Sequence, residues 1–325
     1  MTDISVIGGG AWGTALAASI ARAGHRPYLW VRDASVVDEM RQQNENIKYL
    51  ENIPLPSEIK PTAHLADMGE ANILLVVVPA QAIRSTLENF REIIKPTTTL
   101  VLCAKGIEKT TGKRVSEITR EIMPDNPIAV LSGPSFAHDV ARGLPAAVTL
   151  AADTIAAASK LAEAISNPAL RLYASSDIIG VEMGGALKNV IALAIGIARA
   201  KKLGASAEAA LTTRGFAELA RIAQHFGAKA ETLMGLSCLG DLLLTCSSPQ
   251  SRNFAYGMAI GAGEDLSRRK LAEGIHTTGI AAQLCAGAMI DAPIVKAVDS
   301  VLSNKLDVNE AMAKLLARPL KAENS

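Results

Sequence analysis

The residues able to do chemistry in this 325-residue chain fall in a few short stretches. The first is Gly8-Gly9-Gly10-Ala11-Trp12-Gly13, which fits G-x-G-x-x-G. It follows the β-type run Ile4-Ser5-Val6-Ile7 and opens a helical pattern, Ala11 to Ala23, that stops at Gly24. In that setting Gly8 permits a tight turn, Gly10 lets a pyrophosphate come up to the backbone, and Gly13 lets helix and strand pack closely. The start of the helix adds free N–H groups and the positive end of the aligned peptide dipoles. A dinucleotide with its phosphates there places its adenosine ribose at the end of the next strand, where an acid holds a 2′-hydroxyl and an arginine tolerates a 2′-phosphate. That strand ends Leu29-Trp30-Val31-Arg32-Asp33, so Arg32 occupies the position with an aspartate beside it. The pattern favours NADP, with NAD as the alternative.

The second stretch runs from Met183 to Ala194. On a helix, Lys188 has Gly184, Gly185, Ile191 and Ala192 one turn away, and the helix is apolar almost all round. A lysine buried there has to be paired or neutral, and partial desolvation lowers its pKa toward the range of a general base. The competing reading is a lysine whose ammonium snorkels to solvent. Lys105 follows the strand pattern Thr99 to Cys103, in a loop at the carboxyl end of the sheet where open α/β sheets bind ligands; a solvated loop lysine is the alternative. A second ammonium near Lys188 would depress its pKa further and polarise a carbonyl. Asp241 and Thr245 are four apart and share a helical face; Asp241 either orients Lys188 or caps a helix starting at Gly240-Asp241. In Ser251-Arg252-Asn253, Arg252 offers a two-pronged fork for a phosphate and Asn253 an amide donor, or the three form a surface turn. The five histidines form no constellation, and no metal is expected.

The elements that must position these residues change character along the chain. Strand patterns at Ile4–Ile7, Pro27–Val31, Ile73–Val78, Thr99–Cys103, Ile128–Leu131, Ala146–Ala151 and Leu170–Ala174 alternate with helical ones. That alternation predicts a Rossmann-type, doubly wound, mainly parallel sheet. From about Ser176 no strand pattern recurs. Helices are expected over Asp177–Ala200, Ala207–Phe226, Leu266–Glu273 and Ile280–Ala288. Two domains follow: residues 1–176, an α/β dinucleotide-binding domain, and residues 177–325, an all-helical substrate and catalytic domain. Apolar residues make up 49 % and aromatics only 3 %, a mix suited to close-packed helices. Lys plus Arg (33) balance Asp plus Glu (32), so bulk charge gives no case for nucleic acid or a membrane surface. The apolar runs read as too short to span a bilayer, and no signal-peptide core is present. Cys103, Cys238, Cys246 and Cys285 have neither disulfide-framework nor metal-ligand spacing and read as reduced, mostly buried thiols of a cytoplasmic protein.

Six motifs occur in the order found in bacterial-type glycerol-3-phosphate dehydrogenases, which the chain resembles from Gly8 to about Glu273. They are the Gly-rich turn, Ala104-Lys105-Gly106, Leu131-Ser132-Gly133-Pro134-Ser135-Phe136-Ala137, Gly184-Gly185-Ala186-Leu187-Lys188-Asn189, Leu239-Gly240-Asp241-Leu242 and Ser251-Arg252-Asn253. The resemblance implies reversible reduction of dihydroxyacetone phosphate to sn-glycerol 3-phosphate, the backbone of glycerophospholipids, by a homodimer using NADPH or NADH. It implies that Lys188 accepts the C2 hydroxyl proton as hydride leaves C2 for the nicotinamide. It makes Lys105, Gly133, Ser135, Asn189, Asp241, Ser251, Arg252 and Asn253 the substrate's neighbours. It makes Ala11, Trp12, Arg32, Lys105, Ala137, Arg252, Leu271 and Glu273 contacts of the cofactor. Ala11-Trp12 stands where some members have Ser-Tyr or Ser-Trp, and Arg32 where others have His.

Overall fold

The structure, a computed structural model, describes residues 3–267, 269 and 272–319. By its contacts the chain divides into two compact units, residues 1–185 with 227–241, and residues 186–226 with 242–325.

In the first unit β1 (Ile4–Ile7) leads through the Gly-rich turn into α1 (Ala11–Arg22) and then β2 (Tyr28–Trp30). After α2 (Ala34–Gln43), α3 (Ile47–Leu50) and β3 (Lys60–Thr62), the chain crosses to β4 (Ile73–Val76), α4 (Ile83–Phe90), β5 (Thr99–Leu102), α5 (Val115–Ile122) and β6 (Ile128–Ser132). It continues through α6 (Ala137–Ala141), β7 (Ala146–Ala152), α7 (Ile155–Ile165) and β8 (Leu170–Ser175). The strands form an eight-stranded sheet in the order β3-β2-β1-β4-β5-β6-β7-β8. Every pairing is parallel except β6 with β7. All residues of β1, β4 and β6 are buried, as expected of strands covered on both faces by helices. The order reverses between β1 and β4, whose carboxyl ends therefore flank the crevice where an open α/β sheet receives a ligand.

β3 is the strand that sequence patterning missed. It has three residues, its centre is Pro61, and it lies on the sheet edge. Proline cannot donate to a ladder, so a short Pro-bearing strand is tolerated there and carries no alternating pattern. It is held to β2 by bonds such as Val31 N–H to the Thr62 carbonyl, 2.8 Å.

The named elements in the rest of the described chain are helices joined by turns: α8 (Ile178–Ala200), α9 (Ala205–His225), α10 (Ala230–Leu233), α11 (Asp241–Ser247), α12 (Arg252–Ala262), α13 (Glu273–Gly287), α14 (Pro293–Leu302) and α15 (Val308–Leu316). In the second unit α12 lies directly on α8. A Cβ on Gly257 would overlap the Leu193 carbonyl oxygen, and one on Gly261 would sit 2.7 Å from that of Ile197. α9 crosses the same helix at Gly215, where a Cβ would meet the Ile191 side chain at 2.6 Å. Two expectations need correcting. The described residues of the predicted helix Leu266–Glu273 are not helical before Glu273, which starts α13. Gly263, at φ 72°, ends α12, and Asp265 then holds the Ser267 N–H and hydroxyl in a turn. Leu271 lies outside the described residues. The apolar runs were also underestimated: α8, with 23 residues, is long and apolar enough to cross a membrane, and 89 % of its most apolar window is buried within the fold. All four cysteines are free and buried.

Candidate active site

The Gly-rich turn sits at the carboxyl end of β1. Gly8 has φ 120° and donates its N–H to the Trp30 carbonyl at 3.0 Å. A Cβ on Gly8 would overlap the Val77 carbonyl oxygen, one on Gly13 would overlap that of Gly8, and one on Gly10 would meet nothing within 4 Å. Two glycines are therefore required by the backbone's own approach, while the third faces open space at the start of α1. Gly10 is the N-cap of that helix and supplies no side-chain cap, so the first-turn N–H groups, those of Ala11 and Trp12 among them, have no intrahelical acceptor. This cradle fits the pyrophosphate of a dinucleotide. Beyond β2, Arg32 is exposed. Asp33 is committed elsewhere: it caps α2, accepting from the Ser35 N–H (3.1 Å) and hydroxyl (2.7 Å), and it pairs with Lys48 at 3.1 Å. The Ser35 hydroxyl and then Lys48 hold its carboxyl below the usual range. Ala137 opens α6 and Glu273 opens α13.

Within the first unit, Lys105 stands three residues past β5 and its Nζ donates to Asp241 Oδ2 at 2.6 Å and to the Gly133 carbonyl at 3.0 Å. Asp241 is 3 % exposed, so the pair is a charge-assisted bond largely shielded from water. Gly133, at φ 153°, has to be glycine there, since a Cβ would press on Val148 Cα at 2.8 Å; the Ser135 hydroxyl donates to the same carbonyl at 3.3 Å. Gly185 leaves room for the Ser132 hydroxyl, which a Cβ would approach to 2.8 Å, and the Lys105 stem passes at ordinary contact distance. The loop after Lys105 is tied down on α4 and the turn just ahead of it. Arg84 makes two 2.9 Å bonds to Glu108, and Gln81 receives the Lys109 N–H at 2.9 Å while donating to the Ile107 carbonyl at 2.8 Å. Arg84 holds the Glu108 carboxyl below the usual range.

Within the second unit, Lys188 is 5 % exposed and its Nζ donates to Asn189 Oδ1 at 2.9 Å and to Thr245 Oγ1 at 2.7 Å. The lysine is held inside the fold and does not snorkel. Asn189 Oδ1 also accepts from Asn253 Nδ2 at 2.8 Å, and Asn253 Oδ1 accepts the Gly274 N–H at 2.9 Å. A chain of bonds thus fixes each amide's orientation, from the start of α13 through α12 to the lysine. Gly274 belongs to it for steric reasons: a Cβ would come within 2.8 Å of both the Asn189 carbonyl and Asn253 Oδ1. Ser251 is the N-cap of α12, its hydroxyl accepting the Phe254 N–H at 3.3 Å, so Ser251-Arg252-Asn253 is a helix start. Arg252 is exposed on that first turn.

Most of the predicted residues therefore fall in three places: the Gly-rich turn with Arg32; Lys105, Gly133, Ser135 and Asp241; and Lys188, Asn189, Thr245 and Asn253, with Ser251 and Arg252 at the same helix start. Sequence reasoning missed Asn46, Gln81, Arg84, Glu108, Glu182 and Gly274. Asn46, Gln81 and Arg84 lie far along the chain from the groups they hold, whereas Glu108, Glu182 and Gly274 sit within six residues of predicted ones; no short motif marks any of them.

Comparison with known proteins gives a consistent result. Family models for the N-terminus and C-terminus of NAD-dependent glycerol-3-phosphate dehydrogenase match residues 3–158 and 177–313. The chain is 53 % identical over 324 residues to a glycerol-3-phosphate dehydrogenase (NAD(P)+) of Brucella canis, covering 99 % of each. It is 53 % identical over 321 residues to the protein of that name from a Chelativorans species, covering 98 % of each. The crystal structure of glycerol-3-phosphate dehydrogenase from Coxiella burnetii superposes with a TM-score of 0.92 at 36 % identity, over 98 % of this chain and 99 % of that one.

Proposed function

Because the chain belongs to the NAD-dependent glycerol-3-phosphate dehydrogenase family, we propose that it interconverts dihydroxyacetone phosphate and sn-glycerol 3-phosphate, with Lys188 holding the proton that the C2 oxygen gives up or takes. The observation that carries this assignment is the buried Lys188 ammonium, aimed by Asn189 and Thr245. A bound nicotinamide, NADP or NAD, supplies or accepts the hydride at C2. Lys188 accepts the hydroxyl proton in oxidation and returns it to the ketone oxygen in reduction. Its burial keeps bulk water from competing for that proton, and the Asn189–Asn253–Gly274 bonds keep the amine from swinging away. Lys105, held by Asp241, supplies a second fixed cation for a substrate oxygen, with Gly133 and Ser135 lining its side. Arg252 and the free N–H groups at the start of α12 receive the substrate phosphate. That binding energy positions C2.

In this reading residues 1–176 hold the cofactor, through Gly8, Gly10, Gly13 and Arg32, and residues 177–325 supply proton transfer and the phosphate clamp. The commitment of Asp33 to Ser35 and Lys48 favours NADPH over NADH, since it leaves Arg32 as the group offered to the 2′ position. Glycerophospholipid synthesis in the cytoplasm, by a homodimer, is the proposed setting.

The test follows NADPH and NADH absorbance with dihydroxyacetone phosphate, with unphosphorylated dihydroxyacetone as control. Fast oxidation is expected only with the phosphorylated ketone. Lys188→Ala should lower kcat by about 10²-fold or more while cofactor binding persists. Full turnover in that variant sinks the role of Lys188; absence of turnover in a wild type that binds NADPH sinks the substrate.

A further inference from the structure

Asn46 has 0 % exposure and lies just ahead of α3, 37 residues from Gly9. Its Nδ2 donates to the Gly9 carbonyl at 2.9 Å and to Thr14 Oγ1 at 2.8 Å. Among the described residues its Oδ1 has no hydrogen-bond partner, and no backbone N–H outside regular helices and strands bonds the Gly9 carbonyl. A buried amide oxygen without a partner weakens a fold, so stability alone does not account for asparagine at this position.

The peptide between Gly9 and Gly10 is planar and trans, so its carbonyl and its N–H point in opposite directions. With the Gly9 carbonyl turned to Asn46, the Gly10 N–H is turned away from it. Gly10 faces open space at the start of α1. Glycines on both sides of this plane remove the steric penalties that would otherwise resist its rotation. A flipped plane would offer an oxygen in place of an N–H. We propose that Asn46 is a positioning residue for the cofactor, locking the Gly9–Gly10 peptide in the orientation that offers an N–H to the dinucleotide pyrophosphate. The proposal rests on reading Gly8 to Gly13 as the pyrophosphate turn.

The test is fluorescence titration of NADPH and NADH into full-length wild type, Asn46→Ala and Asn46→Asp, alongside apo-protein melting curves and steady-state kinetics. Alanine removes the donor. Aspartate keeps the shape but sets an acceptor against the Gly9 carbonyl, which favours the flipped plane. The expected result is a cofactor Kd raised about ten-fold by alanine, and by at least as much again by aspartate. The KM for cofactor should rise in step, while kcat at saturating cofactor and the KM for dihydroxyacetone phosphate stay near wild type. Unchanged cofactor affinity in both variants overturns the proposal, as do equal losses that follow only their melting temperatures. If Asn46→Asp does not fold, Asn46→Ser replaces it: its hydroxyl should restore part of what alanine loses, and equal affinities for the two would again overturn the lock. A wild type that binds neither cofactor removes the turn's assignment itself, whereas tight binding by wild type and both variants removes only the role of Asn46.

Discussion

Two neutral oxygens, Asn189 Oδ1 and Thr245 Oγ1, receive the Lys188 ammonium, and six residues earlier on the same helix Glu182 meets a different environment. Glu182 is 5 % exposed, and its carboxyl accepts the Ser116 N–H at 2.7 Å and hydroxyl at 2.6 Å and lies 3.5 Å from Arg114 Nε. Burial dominates and pushes it from 4.5 up to about 7, the Ser116 bonds and Arg114 pulling the other way. A raised pKa means that the folded protein holds this proton more tightly than the unfolded chain does. The contribution is complete below about pH 4.5 and is lost as pH rises through about 7. Glu182→Gln should therefore gain stability relative to wild type as pH climbs through that window, by about 1–3 kcal/mol. Melting curves at half-unit pH steps would read it as a widening difference in the variant's favour, and a flat difference would mean that Glu182 does not titrate there.

Helix pairing sets the next scale. α8 and α12 approach through Gly196, Gly257 and Gly261, where side chains would collide with carbonyls of the opposite helix. Close backbone approach is what allows Asn253 on α12 to reach Asn189 on α8. Gly257→Ala should cost about 1–3 kcal/mol by overpacking. Gly279→Ala, within α13 and with only Asp299 Oδ1 nearby at 3.8 Å, should be neutral or mildly stabilising because alanine favours helix. Thermal melts of the pair test this; equal losses would mean that the contact at Leu193 is not the cause. The long apolar pattern of α8 was readable from sequence, and so was the glycine doublet ahead of Lys188. The reasons for those glycines were not, because Gly184 answers to Cys238 and Gly185 to Ser132, both far away along the chain.

For the molecule as a whole, the first unit carries the sheet and the Gly-rich turn, and the second carries Lys188 in a helical body. A cofactor that binds only the native state stabilises it by mass action. NADPH at 100 times its Kd should add about 2.7 kcal/mol to unfolding. Differential scanning fluorimetry should then show a melting temperature that climbs with NADPH concentration and does not move with adenosine alone. A melt indifferent to NADPH would mean that native and unfolded chains bind it equally or not at all.

Local sequence specifies the alternation of strands and helices, the change to helices near Ser176, the Gly-rich turn and the placing of Lys188 on an apolar helix, while the burial of its ammonium came from the packed fold. Each is written in local periodicity or in neighbouring residue types, which backbone sterics and apolar burial convert directly into structure. The tertiary structure decided the partners. It gave Asp241 to Lys105, gave Asn189 and Thr245 to Lys188, turned Ser251 into a helix cap and brought Asn46 to Gly9. It also made an edge strand of Lys60-Pro61-Thr62, which has no pattern of its own. A hydrogen bond depends on distance and direction between atoms, and residues dozens of positions apart acquire both only when the chain is packed.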